Sequence, residues 1–194
     1  MNFDYHIKKV TQSCFYHLRN IAKIKPVISS LDLEKIIHAF VSSRLDYCNG
    51  LYTNLSRSSM HKLQLVQNTA ARILTNTPRS AHITPILARL HWLPIKSRVD
   101  FKILLTTYKA LNGLAPLYIK DLLPPKRNVR SLRSSDKGLL EVPSTNLVTK
   151  GDRAFAAVAP RLWNALPLPL KNAESVEGFK NLLKTYLFRL HFVL

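Results

Sequence analysis

The stretch that decides the fold is LQLVQNTAARIL, residues Leu63–Leu74. Its apolar residues, together with one just before it, recur every three or four positions, the spacing that places side chains on one face of an α-helix. They are Met60, Leu63, Val66, Ala70, Ile73 and Leu74. Ser56 is a suitable N-terminal cap, and Pro78 is expected to end the helix. The pattern therefore predicts one long amphipathic helix whose apolar face belongs to a core.

Similar spacing occurs on both sides of this helix. Apolar periodicity predicts further helices over residues 7–24, 30–41, 94–111, 115–123 and 175–190. Thr84 and Pro85 are expected to start another helix, and Pro160 is expected to start a short one. Phe40 is assigned to a buried stripe. Between residues 126 and 152 the periodicity is lost, and Ser, Asn, Gly and basic residues dominate. One short strand is expected near residues 139–142, and residues 153–157 are expected to pair with it.

These elements predict a mainly α fold, a helical bundle with a small α+β C-terminal tail. The expected domains are a helical bundle over residues 1–123, a basic linker with a short strand over 124–152, and a small C-terminal region of helix and strand over 153–194. The chain has 194 residues, of which 46% are hydrophobic. That is enough to bury a core without disulfides or metal ions.

The net charge makes a polyanion the expected partner. Lys and Arg number 29 against 11 Asp and Glu, a formal charge of +18, which favours RNA or DNA. Residues 56–99 contain no acidic side chain at all. The N-terminus lacks the apolar core of a signal peptide, and no charge-free run approaches a membrane span. We therefore expect an intracellular chain, in the cytoplasm or the nucleus, without a membrane partner.

The residue pattern offers little chemistry for catalysis. Metal-dependent nucleotidyl transfer needs closely placed carboxylates, and no two acidic residues are adjacent. Zinc-ligand spacing and phosphate-binding glycine loops are also missing from the sequence. Neither Cys14 nor Cys48 has an activating neighbour in sequence. We expect no enzyme, no cofactor, no metal site and no disulfide scaffold.

The positive signal lies on the long central helix, opposite its apolar stripe. Cationic and amide side chains follow one another there at steps of three and four residues: Arg57, His61, Gln64, Asn68, Arg72, Thr75 and Arg79. Such donors in a row suit a phosphate backbone. A solvated face, or one covered by another domain, is an equally weighted alternative. A second basic group, Lys126, Arg127, Arg130 and Arg133, either contacts a nucleic-acid strand or belongs to a solvated linker. Trp92 and Trp163 are expected in the core.

Seven runs in order resemble the C-terminal part of the reverse-transcriptase polyprotein of LINE-type, non-LTR retrotransposons, of the chicken-repeat and jockey-like groups. They are SRLDYCNGL (43–51), LQLVQNTAARIL (63–74), HITPILARLHWLPIKSRVDFK (82–102), GLAPLYIKDLL (113–123), RSLRSS (130–135), AFAAVAPRLWNALP (154–167) and FKNLLKTYLF (179–188). The stretch Phe3–Ile7 resembles the family's segment just after the palm. The resemblance covers nearly the whole chain.

This resemblance implies a helical thumb and the region after it, which contact template–primer or element RNA. The family's endonuclease and its catalytic aspartates belong to upstream parts that this sequence does not match, so no catalytic residue carries over. The upstream polymerase domains of a full-length element protein are a further expected partner. Two functional hypotheses remain open: a non-catalytic remnant that binds nucleic acid, and an inert or scaffolding helical fragment of a truncated element. Neither hypothesis distinguishes RNA from DNA.

Overall fold

The computed structural model describes residues 3–53, 55–126, 138–145 and 151–192. The described residues form a mainly α fold, as the periodicity predicted. The helices are α1 (Asp4–Ile24), α2 (Ser30–Ile37), α3 (Ser43–Asp46), α4 (Arg57–Thr75), α5 (Thr84–Arg89), α6 (Ile95–Leu111), α7 (Leu117–Asp121), α8 (Phe155–Asn164), α9 (Leu168–Lys171) and α10 (Val176–Phe192). Short 3₁₀ turns cover Lys25–Val27, Asn49–Tyr52 and Gly151–Arg153.

The chain divides into two compact units. The first comprises residues 1–98 with 190–194, and the second comprises residues 99–189. The division into domains at residues 123 and 152 remains a prediction. Each unit is described below by itself.

The core of the first unit is built where α1 packs against α4. Four apolar side chains of α1 at helical spacing, Ile7, Cys14, Leu18 and Ile21, are buried. Leu63, Val66 and Ala70 of α4 are buried as well, which confirms them as part of the inner face. Ser56 caps α4 by accepting from the Ser59 amide at 3.1 Å. The helix ends earlier than Pro78, because Asn76 adopts a left-handed conformation with φ of 55°.

A π-helical turn, His38–Ser42, joins α2 to α3. A π turn has more residues per turn than an α-helix, so side chains within it and beyond it are rotated relative to the stripe that a regular helix would continue. Val41 stays buried, but Phe40 is 46% exposed. The assignment of Phe40 to a buried stripe is therefore wrong, and the cause is this local change of helical pitch.

The second unit is organised around stacked aromatic rings. The rings of Tyr108 and Phe179 stack with their centroids 4.2 Å apart, and the Tyr108 hydroxyl donates to the carbonyl of Ala173 at 2.6 Å. Trp163 is buried and donates through Nε1 to the carbonyl of Gly138 at 3.0 Å. Trp92, in the first unit, is buried too, so both tryptophans are core residues as expected.

The expected strand pair is not supported in the described part of the second unit. Leu140 forms an isolated antiparallel bridge with Pro125, and Asn164 brackets it by accepting from its amide at 2.8 Å and donating to its carbonyl at 2.9 Å. Residues 153–157, the expected partner strand, lie instead in a 3₁₀ turn and the start of α8. Pro160 lies inside α8 rather than at its start. Helix packing of the small, buried residues 157–160 decides the local structure here.

Candidate nucleic-acid interface

A groove of about 1060 Å³ is lined by α1, α4 and the loop that follows α4. We call it the α1/α4 groove. Its polar lining comprises Arg19, Lys25, Asn68, Thr69, Arg72, Asn76, Thr77 and Arg79. Its apolar lining comprises Phe15, Leu18, Ala22, Leu65, Ile73 and Pro78. Four of the described lining residues are cations and none is acidic, so the groove concentrates positive charge.

Arg72 holds the loop that carries Arg79. Its guanidinium donates to the carbonyls of Pro78 at 3.3 Å, Arg79 at 3.4 Å and Ala81 at 2.8 Å. The loop carbonyls thus take up several of its donors, and Arg72 serves to position the loop as well as to supply charge. The Arg79 side chain is exposed and extends the positive surface beyond the helix, since α4 ends at Thr75.

Lys25 contacts the start of the loop that follows α4. Its Nζ donates to Oδ1 of Asn76 at 3.1 Å, which ties the end of α1 to the left-handed residue that terminates α4. Arg19, about one and a half turns earlier on α1, is exposed. Arg19 therefore comes to the groove from α1 and Lys25 from the 3₁₀ turn that follows it, whereas Arg72 and Arg79 come from α4 and its loop.

Two of the predicted site residues are engaged in packing. Gln64 donates to Gln67 and to Asn68, each at 2.9 Å, and its Oε1 accepts from the Ile95 amide at 3.0 Å. That amide belongs to the first turn of α6, where backbone donors lack a helical partner. Gln64 therefore caps α6, and Asn68 both supports it and lines the α1/α4 groove.

The remaining predicted residues do not line this groove. Arg57 and His61 are exposed near the start of α4. Lys126, in the second unit, is exposed, and its backbone amide donates to the carbonyl of Leu139 at 2.9 Å. Arg127, Arg130 and Arg133 lie outside the described residues.

The sequence prediction missed Arg19 and Lys25. Both lie close in sequence to the buried positions Leu18 and Ile21 of α1, so the only signal was a basic residue bordering an apolar stripe. A basic residue in that position indicates a binding site only once the partner helix is known. The pairing of α1 with α4 brings these two cations to the predicted Arg72 and Arg79.

Two further ionisable side chains of the first unit, Cys14 and Asp46, are buried and ion-paired, respectively. Burial raises the pKa of the Cys14 thiol to about 11, so the thiol stays protonated near neutral pH. Asp46 pairs with the Arg98 guanidinium, with Nε donating to Oδ1 at 2.8 Å. Within the described ranges, no group of three or more His, Cys, Asp or Glu side chains is placed to hold a metal ion. No helix there is both long and apolar enough to cross a membrane.

Comparisons with known proteins give no relative: no family model, curated protein or solved structure matches the chain.

Proposed function

We propose that this protein binds nucleic acid through the α1/α4 groove and that it derives from the C-terminal part of a non-LTR retrotransposon reverse transcriptase. One observation carries the binding proposal: four cations from α1, α4 and the segments that follow them line one groove that has no acidic residue in its described lining. Guanidinium and ammonium groups form charge-assisted hydrogen bonds with phosphate oxygens. Amide and hydroxyl groups between them, such as Asn68 and Thr69, are also common donors to a nucleic-acid backbone.

The groove supports this function better than the outer row along α4 does. Arg57 and Arg72 are about 22 Å apart along the helix axis at the usual rise per residue. Between them Gln64 is committed to capping α6. In the groove, by contrast, Arg72 and Lys25 are fixed by hydrogen bonds, so part of the cost of ordering long side chains is already met on folding.

The test measures binding of fluorescein-labelled RNA and DNA 20-mers by fluorescence anisotropy at several salt concentrations. The variant is Arg19→Gln, Lys25→Gln and Arg79→Gln together. Arg72 is left unchanged because its replacement would release the loop. Removing one phosphate contact flattens the slope of log affinity against log salt by about 0.7 on single strands or about 0.9 on duplex DNA. Removing three should flatten it by roughly two to three units.

The matched control removes three exposed cations from the second unit, with Lys120, Lys184 and Arg189 each replaced by Gln. Wild-type affinity and slope in the control, with weaker binding in the groove variant, support the proposal. Equal weakening in both variants would mean that binding reflects only the overall charge of +18. No binding by the wild type at low salt would remove the proposal altogether.

A second candidate function rests on the surface around α7. Leu114, Leu117 and Tyr118 are between 59% and 76% exposed, and clustered exposed apolar side chains often mark an interface with another protein. This favours the scaffolding alternative, in which the fragment packs on other domains. Under that alternative, the wild type self-associates without binding nucleic acid. Leu117→Ser with Tyr118→Ser then restores a monomer in sedimentation velocity.

A further inference from the structure

Three aromatic rings form a cluster on the surface of the first unit. The Tyr16 and His17 rings meet edge to face with centroids 5.5 Å apart, and the His17 and Phe40 rings follow at 5.2 Å and 31°. Tyr16 is 58% exposed and Phe40 is 46% exposed. We call Tyr16, His17 and Phe40 the aromatic cluster. His17 supports both outer rings, so two large π surfaces are held in place while open to solvent.

The exposure of Phe40 results from the π turn His38–Ser42. A regular continuation of α2 would direct this side chain toward the buried stripe of Leu33 and Ile37. Turns of this kind are rare and are frequent at functional sites. The backbone is thus irregular at the position where the exposed Phe40 ring lies beside His17.

The aromatic cluster borders the α1/α4 groove along α1. Phe15 and Arg19 line the groove, and Tyr16 lies between them in sequence. Tyr16 and Arg19 are three residues apart on the helix, so their side chains are surface neighbours. A strand whose phosphates follow the cations of the groove would therefore meet exposed rings at its border.

We propose that the ligand of the groove is single-stranded nucleic acid whose bases stack on Tyr16 and Phe40. This inference rests on the proposed function and adds the strandedness of the ligand. Cationic grooves that track the backbone, flanked by aromatic rings that stack on bases, are the recurrent design for single-strand binding. A duplex keeps its bases stacked inside, so it can use the cations but not the rings.

The experiment compares three 12-mer probes by fluorescence anisotropy at fixed salt: oligodeoxythymidine, oligouridine, and a fully abasic strand of the same charge. A 12-base-pair DNA duplex is measured in parallel. The variant is Tyr16→Leu with Phe40→Leu, which keeps apolar surface and removes the π faces. The matched control is Tyr5→Leu with Tyr47→Leu, two exposed tyrosines elsewhere in the first unit, 71% and 73% exposed.

We expect the cluster variant to bind the thymidine and uridine strands about fivefold more weakly, or worse, for each ring removed. Its affinity for the abasic strand and the duplex should equal that of the wild type. The control should match the wild type on every probe. Circular dichroism and thermal melting check that each variant is folded.

The outcomes separate this inference from the proposed function. Binding that depends on the groove cations, with equal affinity of wild type and cluster variant for the base-containing strands, overturns base stacking and leaves the function in place. If the wild type binds the abasic strand as tightly as oligodeoxythymidine and oligouridine, base stacking is likewise overturned and the function is left in place. Failure of the wild type to bind any probe overturns both.

Discussion

Gln67 offers the sharpest test of how α4 is joined to the start of α6. Its side chain is 2% exposed. It donates from Nε2 to the Leu93 carbonyl at 2.8 Å and accepts from Gln64 at 2.9 Å. Gln67→Met keeps nearly the same volume and flexibility, so the variant removes these hydrogen bonds without opening a large cavity.

The size of the expected loss of stability follows from the Leu93 carbonyl, which has no hydrogen-bond donor in Gln67→Met. A buried carbonyl without a hydrogen bond costs about 1–3 kcal/mol. Gln64 is only partly buried and keeps its bond to Asn68 at 2.9 Å, so its share of the cost is small. We expect Gln67→Met to lower the free energy of unfolding of the first unit by about 2 kcal/mol. For a unit of this size that corresponds to a fall in Tm of roughly 8–16 °C.

The assay is thermal unfolding followed by circular dichroism, with urea unfolding as a second measure. The matched control is Gln12→Met on the exposed side of α1, where a substitution should change stability by less than about 0.5 kcal/mol. If Gln67→Met and Gln12→Met unfold at the same temperature, the Gln67–Leu93 bond contributes nothing. The reasoning that Gln67 joins α4 to the start of α6 would then be refuted.

Three further predictions concern the second unit and the reaction chemistry. Hydrogen bonds from Thr145 and then Arg161 hold the pKa of the Asp152 carboxyl below its ordinary value. Its contribution to stability is therefore present above the unfolded pKa, and it disappears as pH falls through the lower folded pKa. Asp152→Asn should melt below the wild type at pH 7, and this difference in Tm should shrink as the pH is lowered through the folded pKa. Phe179→Ala, at a fully buried ring, should cost about 3–5 kcal/mol, whereas Leu182→Ala at an exposed position of α10 should have little effect in the same melts. The purified chain should not extend a primer with Mg²⁺ or Mn²⁺, and template-directed incorporation above a no-protein control would contradict this.

The local sequence was sufficient to place most of the helices. Ser56 as a cap, Leu63 and Val66 as inner positions, and a break after Ile24 were all predictable because each depends on residues within one or two turns. Two predictions from the sequence were wrong. The π turn exposed Phe40, and residues 153–157 became helical although they were expected to pair as a strand.

The sequence by itself determined the charge excess, the acid-free run and the amphipathic helices, because composition and periodicity are local properties of the chain. Only the tertiary structure determined which of the basic side chains line one groove. Arg19 and Lys25 are separated from Arg72 by about fifty residues and come together with it only because α1 packs on α4. Gln64 has the helical spacing of a phosphate donor, yet its Nε2 donates to Gln67 and Asn68 and its Oε1 accepts from the Ile95 amide. The hydrogen-bond partner of a polar side chain is the group that tertiary packing places next to it. Helical spacing alone does not specify that partner.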